Sequence, residues 1–287
     1  MSFAETILLG AIAGATIFIG LPVGRMDGLG ERARLALSML SVGILAFIFM
    51  DVTAHGEAIV ADAVHHYKSA ESGLGHVFAL FALLAAGFTV GTAGIATIER
   101  RIRPERPTKP PIAGGEAAAE ISTTELRQYE DQALSAQRAT LRFGMTIAVA
   151  IGLHNFAEGL AIGVSAQTGA IGLATVLIIG FALHNATEGF GIVGPLGSVK
   201  PSWRWLALAG LVAGGPTLLG TIVGYQVHSE ALELAFYGLA GGAIIYVIGE
   251  VWTIMRRHGH RELGLYMLSL GFLIGVATDL VVTYGGA

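Results

Sequence analysis

Two segments of the chain carry the same set of chemically active side chains, and the second begins 30 residues after the first. They read His154-Asn155-Phe156-Ala157-Glu158-Gly159 and His184-Asn185-Ala186-Thr187-Glu188-Gly189. In an α-helix, residues four positions apart lie on one face, so each His and its Glu can point at one spot. Imidazole, carboxylate and amide groups together suit zinc, iron(II) and manganese. The pattern predicts a divalent-metal site, and thiolate ligands are excluded because the chain has no cysteine.

Both segments lie in apolar stretches that are long enough to cross a membrane. The 287 residues are 53% hydrophobic and 13% charged, and a soluble chain carries roughly twice that charged fraction. A span needs about 20 mostly apolar residues. We predict an all-α integral membrane protein, a single transmembrane domain over residues 1–287, with eight transmembrane helices at roughly 3–24, 33–61, 74–98, 139–166, 169–195, 203–227, 231–255 and 263–284.

The connections between these windows differ strongly in length. A polar segment, 99–138, separates the third and fourth windows and is predicted to be a flexible loop. Its first half is rich in proline and reads as a linker, whereas Ser122–Arg138 could form an amphipathic helix. Only Gln167-Thr168-Gly169 separates the fourth and fifth windows, which predicts a tight turn between antiparallel helices.

The distribution of basic residues predicts the orientation in the membrane. With eight spans, Lys68 is the only one of the 17 lysines and arginines that falls on the side of the two termini. The positive-inside rule places the long loop in the cytoplasm and both termini outside the cytoplasm. We therefore expect a multi-pass protein of the inner (plasma) membrane.

Carboxylates at membrane depth need either a proton or a cation. A charged group there costs several kcal/mol unless it is paired or ligated, and no Lys or Arg lies at the depth of Glu158 and Glu188. A polar clamp between helices is the alternative interpretation, but such clamps average under about 1 kcal/mol in lipid. Two matching sets on adjacent antiparallel helices therefore favour a metal site near the middle of the bilayer.

Other ionisable residues at depth are candidates for a path to and from this site. Asp51 and His55 stand four residues apart in the second window and could line the access route or form a polar contact at its wet end. Glu250 lies deep in the seventh window and is a second auxiliary candidate.

The motifs resemble those of the ZRT/IRT-like (ZIP) family of divalent-metal transporters, in its bacterial branch. The resemblance rests on HNFAEGLAIG at 154–163, HNATEGFGI at 184–192 and GAIIYV at 242–247, followed by Glu250. The family is similar in its eight spans, outside termini and long cytoplasmic loop. The resemblance implies that zinc, or related cadmium, iron or manganese, is the transported substrate, taken up into the cytoplasm. It also implies that the transport-site ligands are His154, Asn155, Glu158, His184, Asn185 and Glu188.

Two departures from the family pattern lead to further expectations. The proline usual before each glutamate is replaced by Ala157 and Thr187, so both helices are expected to be straighter, with Thr187 lending a hydroxyl to the site. Gly215 stands before Pro216 where many relatives have glutamate. A second metal position of the usual kind is therefore not expected.

Two alternative functions remain at this stage, a transporter of another solute coupled to protons and a metalloenzyme embedded in the membrane. HExxH is absent, so we expect no enzyme. The expected partners are the metal ion and the lipid bilayer, with a possible homodimer through glycine-rich faces and no nucleic acid. No residue-level repeat is evident between the first three and the last three windows.

Overall fold

The computed structural model describes residues 1–102, 123–169, 171–227, 229–257 and 259–285. These residues form ten α-helices and three short turns of other helix types. The α-helices are α1 (Phe3–Ala15), α2 (Ile17–Gly20), α3 (Glu31–Lys68), α4 (Leu74–Thr89), α5 (Ile95–Ile102), α6 (Thr123–Gln167), α7 (Ile171–Val193), α8 (Trp203–Gln226), α9 (Glu230–Arg257) and α10 (Arg261–Gly285). The turns are two 3₁₀ turns, Leu21–Arg25 and Gly194–Leu196, and a π turn, Val90–Gly94.

Eight segments among the described residues are long and apolar enough to cross a membrane, which confirms the predicted number of spans. Span 1 comprises α1, α2 and the first 3₁₀ turn, and span 3 comprises α4, the π turn and α5. Span 5 comprises most of α7 and the second 3₁₀ turn, and the five other spans lie in single helices, α3, α6 and α8 to α10. We call the side of the two chain termini the terminal side, and the side of the 99–138 connection the loop side.

The segment 99–138, predicted to be a loop, is helical at both of its described ends, and the helix at 123–138 agrees with the helix expected at Ser122–Arg138. Residues 99–102 belong to α5, and residues 123–138 form the first four turns of α6, continuous with span 4. The physical reason is that 123–138 is polar but holds neither Gly nor Pro, so nothing stops the helix from extending beyond the membrane. The rest of the loop, 103–122, lies outside the described residues.

A tight turn joins α6 to α7, as predicted. Gly169 has a φ of +81°, in the left-handed region that glycine adopts without strain. The backbone N–H of Thr168 donates to the carbonyl of Val164, which closes the last turn of α6. The two helices that carry the motifs are therefore antiparallel neighbours.

Glycines allow α6 and α8 to pack with their backbones in contact. A Cβ on Gly159 or Gly163 of α6 would overlap the carbonyl oxygen of Thr217 or Thr221. In the reverse direction, Cβ atoms on Gly220 and Gly224 of α8 would overlap the carbonyls of Phe156 and Leu160. Such close approach increases dispersion contact, which is the main attraction between helices in lipid.

The same type of contact pairs the other spans in a symmetric scheme. Glycines of α2 and α7, of α3 and α10, and of α4 and α9 meet the backbone of the partner helix. In terms of spans, the four glycine contacts pair span 4 with 6, 1 with 5, 2 with 8 and 3 with 7. If span 1 is exchanged with 6, 2 with 7, 3 with 8 and 4 with 5, the first two pairs are converted into each other, and so are the last two. The tertiary structure thus contains an internal repeat that the sequence did not show.

Replacing Gly220 by Ala is expected to lower the free energy of unfolding by about 1–3 kcal/mol, because the new methyl group overlaps the Phe156 carbonyl. Gly215→Ala in the same helix is the matched control, since a Cβ there meets nothing within 4 Å. Thermal unfolding in detergent should show a midpoint several degrees lower for G220A only. Equal midpoints for the two variants would contradict the packing argument.

Candidate metal site between α6 and α7

Both motif segments lie inside uninterrupted helices. α6 continues through Ala157 and α7 through Thr187, so the missing prolines leave the helical hydrogen-bonded ladder intact. All six candidate ligands are buried, with relative exposures between 0% and 8%. The six side chains therefore lie inside the helix bundle, and their role as ligands stays a prediction.

Three of the six side chains meet directly. The Nε2 atom of His154 lies 3.0 Å from Oε1 of Glu158, one turn further along α6. The same nitrogen lies 3.5 Å from Oε1 of Glu188 on α7. His154 therefore stands between two carboxylates from opposite helices, and all three side chains are almost completely buried.

The two asparagines use one half of the amide to attach each motif helix to a neighbour. Asn155 Nδ2 donates to the carbonyl oxygen of Ala213 in α8, and Asn185 Nδ2 donates to that of Ala13 in α1, both at 3.0 Å. The two bonds are equivalent under the exchange of spans 4 with 5 and 6 with 1. Both Oδ1 atoms are buried, and neither has a hydrogen-bond partner among the described residues. Each amide is therefore held in place by its donor while its oxygen stays available to another group.

His184 occupies a different environment from His154. Its ring lies beside two aromatic rings, with centroids 6.4 Å from Phe47 and 6.5 Å from Phe181. In the described parts of the chain, neither of its ring nitrogens has a hydrogen-bond partner. Among the described residues, no three His, Asp or Glu side chains already surround one point as metal ligands. Coordination by the full predicted set therefore requires side chains to rotate.

The chemistry of the unpaired atoms fits a cation. Both carboxylates, both imidazoles and both Asn Oδ1 atoms of the motif residues are buried. Within the part of the chain that the structure describes, none of their oxygens or nitrogens other than the two Asn Nδ2 atoms has a directed hydrogen bond. The close approach of His154 to Glu158 is thus an ion-pair distance rather than a well-aligned hydrogen bond. A buried polar group without a partner costs about 1–3 kcal/mol. A divalent ion that accepts nitrogen and oxygen ligands would satisfy most of these atoms at once.

A cavity of about 150 Å³ connects the site with the terminal side. Its lining includes Glu158 at the inner end and Asp51 and His55 of α3. His55 Nδ1 lies 3.6 Å from the Asp51 carboxylate and 2.9 Å from the Asp51 backbone oxygen. The two auxiliary residues predicted in the second span therefore face the same cavity as a predicted ligand.

Sequence reasoning missed three polar residues of this cavity, which are Ser165, Glu233 and Tyr237. Glu233 and Tyr237 stand four residues apart in α9 and so share a helix face, a signal that the spacing alone contained. The ring of Tyr237 lies 5.8 Å from that of His55. Ser165 is an isolated serine in an apolar helix, and nothing in the sequence distinguishes it.

The other two auxiliary candidates are not brought to the site. Thr187 Oγ1 donates to the His184 carbonyl at 2.7 Å, so its hydroxyl proton serves the helix rather than the site. Glu250 is half-buried in the loop-side part of α9 and lies outside the cavity that reaches Glu158. Gly215, the residue on which the expectation about a second metal position rested, shares a helix face with the exposed Leu211 and Leu219.

Comparison with known proteins gives a consistent result along the chain. The family profile described as ZIP Zinc transporter matches residues 2–277, which include both motif helices. The zinc transporter ZupT of Clostridium perfringens is 28% identical over 227 residues, covering 76% of this chain and 79% of that protein. ZupT of Corynebacterium aurimucosum is 28% identical over 285 residues, covering 96% and 95%. ZupT of Streptococcus mutans is 27% identical over 273 residues, covering 93% of each chain.

The two halves of the Asn155 amide are expected to have separable effects. Asn155→Ala removes the bond to the Ala213 carbonyl and the free Oδ1, and should lower stability by about 1 kcal/mol. Asn155→Asp loses the donor but keeps an oxygen at the site. We expect zinc to raise the thermal midpoint of N155D but to raise that of N155A much less. Equal zinc effects in the two variants would show that Oδ1 is not a ligand.

Proposed function

This chain belongs to the ZIP zinc-transporter family, and we propose that it carries zinc across the membrane through the cluster between α6 and α7. The observation that supports this proposal is the placement of His154 between Glu158 and Glu188, with their oxygens and nitrogens buried and unsatisfied. The relatives are named as zinc transporters. Because the family and these relatives are transporters, the chain is not an enzyme.

We also propose the direction of zinc transport and the membrane in which the protein lies. The excess of basic residues on the loop side supports a cytoplasmic location for that side, and hence termini outside the cytoplasm. The cavity that reaches Glu158 opens toward the terminal side. An ion would thus arrive from outside at Asp51 and His55 and pass to Glu158, which amounts to uptake through an inner (plasma) membrane.

The proposal extends to other divalent metals as substrates and to a homodimer. Carboxylate, imidazole and amide ligands without thiolate also accept iron(II), manganese and, less favourably, cadmium. Spans 3 and 8 are the least buried of the eight within the chain. Their apolar faces must meet either lipid or another protein surface, and we propose them as the faces available to a homodimer.

The transport function predicts zinc uptake into proteoliposomes that depends on both carboxylates. Replacing Glu158 and Glu188 together by Gln keeps their shape but removes both charges, so saturable uptake should fall at least about a hundredfold. The matched control is Glu130→Gln with Glu262→Gln, which removes two exposed carboxylates outside the membrane core.

The outcomes of this experiment separate the two remaining functions. Uptake that is lost in the double variant and kept in the control supports the path between α6 and α7. A folded unmodified protein that takes up no zinc would contradict metal transport. If it moved protons instead, the alternative of a proton-coupled transporter of another solute would gain support.

A separate prediction concerns Asp51, at the mouth of the cavity that reaches Glu158. Asp51→Asn removes the charge that attracts a cation before it reaches Glu158, so KM for zinc should rise roughly tenfold. The maximal rate should change little, because the central cluster stays intact. Asp62→Asn, in the same helix and also on the terminal side, is the control. A fall in maximal rate with unchanged KM would contradict the assignment of Asp51 to the mouth.

A further inference from the structure

On the loop side of the central cluster, α3 makes a closed contact with the end of α7 and with the 3₁₀ turn that follows it. We call this contact the exit seam. It consists of Ser38 and Ser41 of α3, Gly191 of α7 and Gly194 of the 3₁₀ turn. The helices run in opposite directions. Phe47 lies beside His184, and a Cβ on Gly191 would come within 2.7 Å of Ser41 Oγ. Ser38 faces Gly194 in the same way. Glu188 precedes Gly191 by one helical turn, so the exit seam begins directly below this carboxylate.

Ser41 is the unusual residue of the exit seam. It has no exposed surface, and its hydroxyl oxygen has no hydrogen-bond partner in the structure. A serine in a membrane helix ordinarily donates to the carbonyl four residues earlier. Ser38, one turn away on the same face, does so, since its Oγ donates to the Arg34 carbonyl at 2.8 Å. The hydroxyl of Ser41 instead points at the glycine face of α7.

A large cavity lies at the other end of the exit seam. It has a volume of about 610 Å³ and is lined by the loop-side ends of α3, α6 and α9 and the 3₁₀ turn after α7. Ser38 and Gly194 are part of its wall. Arg34 also lines it, but its guanidinium donates to the backbone carbonyls of Leu29 and Met26, and the carboxylate-bearing Glu31 stands beside it. The wall therefore carries both signs of charge and does not exclude a cation.

We propose that the exit seam is the release route of the ion and that Ser41 is its first ligand after Glu188, an inference that rests on the proposed transport function. When α3 and α7 separate at Ser38 and Gly194, the ion leaves Glu188 and meets the Ser41 oxygen before water from the 610 Å³ cavity hydrates it. A neutral hydroxyl is a weaker ligand than a carboxylate, so it can receive the ion and still release it. The two glycines leave the route free of side chains on its α7 side.

The first test compares Ser41→Ala with Thr217→Val in proteoliposomes. Both variants remove a fully buried hydroxyl that has no hydrogen-bond partner among the described residues. Thr217, however, lies in α8, where it contacts α1 and α6 and is away from the exit seam. We expect S41A to lower the maximal rate of zinc uptake by about fivefold. Zinc should still raise its thermal midpoint as in the unmodified protein, because the central cluster binds before release. T217V should keep the unmodified rate.

The second test uses the absence of cysteine from the chain, so that Ser41→Cys and Thr217→Cys each carry a single thiol. S41C should react with a water-soluble maleimide, zinc should slow this reaction, and T217C should stay unreacted. The thiol is also a softer ligand than the hydroxyl. S41C should therefore raise cadmium uptake relative to zinc uptake, a change that loss of packing alone would not produce.

Failure of the inference differs from failure of the proposed function. If the unmodified protein takes up no zinc, the transport function itself is contradicted. If it takes up zinc while S41A matches it and S41C neither reacts nor changes metal preference, the exit seam is not the route and the transport function stands. If S41A loses zinc binding and uptake together, Ser41 is a structural residue and the inference is overturned.

Discussion

The central constraint on this molecule is the burial of two carboxylates beside which the described residues place one basic group, the His154 imidazole. His154 lies within 3.0 Å of Glu158 and 3.5 Å of Glu188 at a depth where no Lys or Arg is present. No group of the described ranges makes a hydrogen bond to either carboxylate. An apolar replacement would be cheaper for folding alone. The cluster is therefore held in place by the surrounding helices rather than by its own interactions, and it remains available to a cation.

Each residue of the repeated motif contributes to this arrangement in a different way. Asn155 and Asn185 attach α6 to α8 and α7 to α1 through backbone carbonyls. Gly159 and Gly189, next to the glutamates, receive the backbones of α8 and of α2. Both neighbouring helices therefore contact the motif helices directly beside the carboxylates. The spacing His-Asn-x-x-Glu-Gly thus places the candidate ligands on one face and the helix contacts on the adjacent face of the same turn.

The parts predictable from sequence are those fixed by local periodicity and hydropathy. The eight spans, the turn at Gly169 and the burial of His154 and Glu158 follow from apolar length and from the i, i+4 spacing. The carbonyl that each Asn would reach depends on which helices are neighbours, and no local signal contains that information. Ser165 and Ser41 were missed for the same reason. A helix at 123–138 was expected from the sequence, whereas its continuity with span 4 follows from the lack of Gly and Pro across 123–138.

The symmetry of the helix contacts contrasts with the asymmetry of access to the site. The exchange of spans converts the α6·α8 contact into the contact between α7 and span 1, so both motif helices are supported alike. Access is different, because an open cavity reaches Glu158 from the terminal side while the small residues of α3 and α7 are packed together below Glu188. A repeated fold can form equivalent contacts on either side of a central site, and transporters built from repeats use this property to expose the site alternately. Flat glycine and serine faces suit such movement, because helices that interlock through few side chains can slide or separate without rotamer changes.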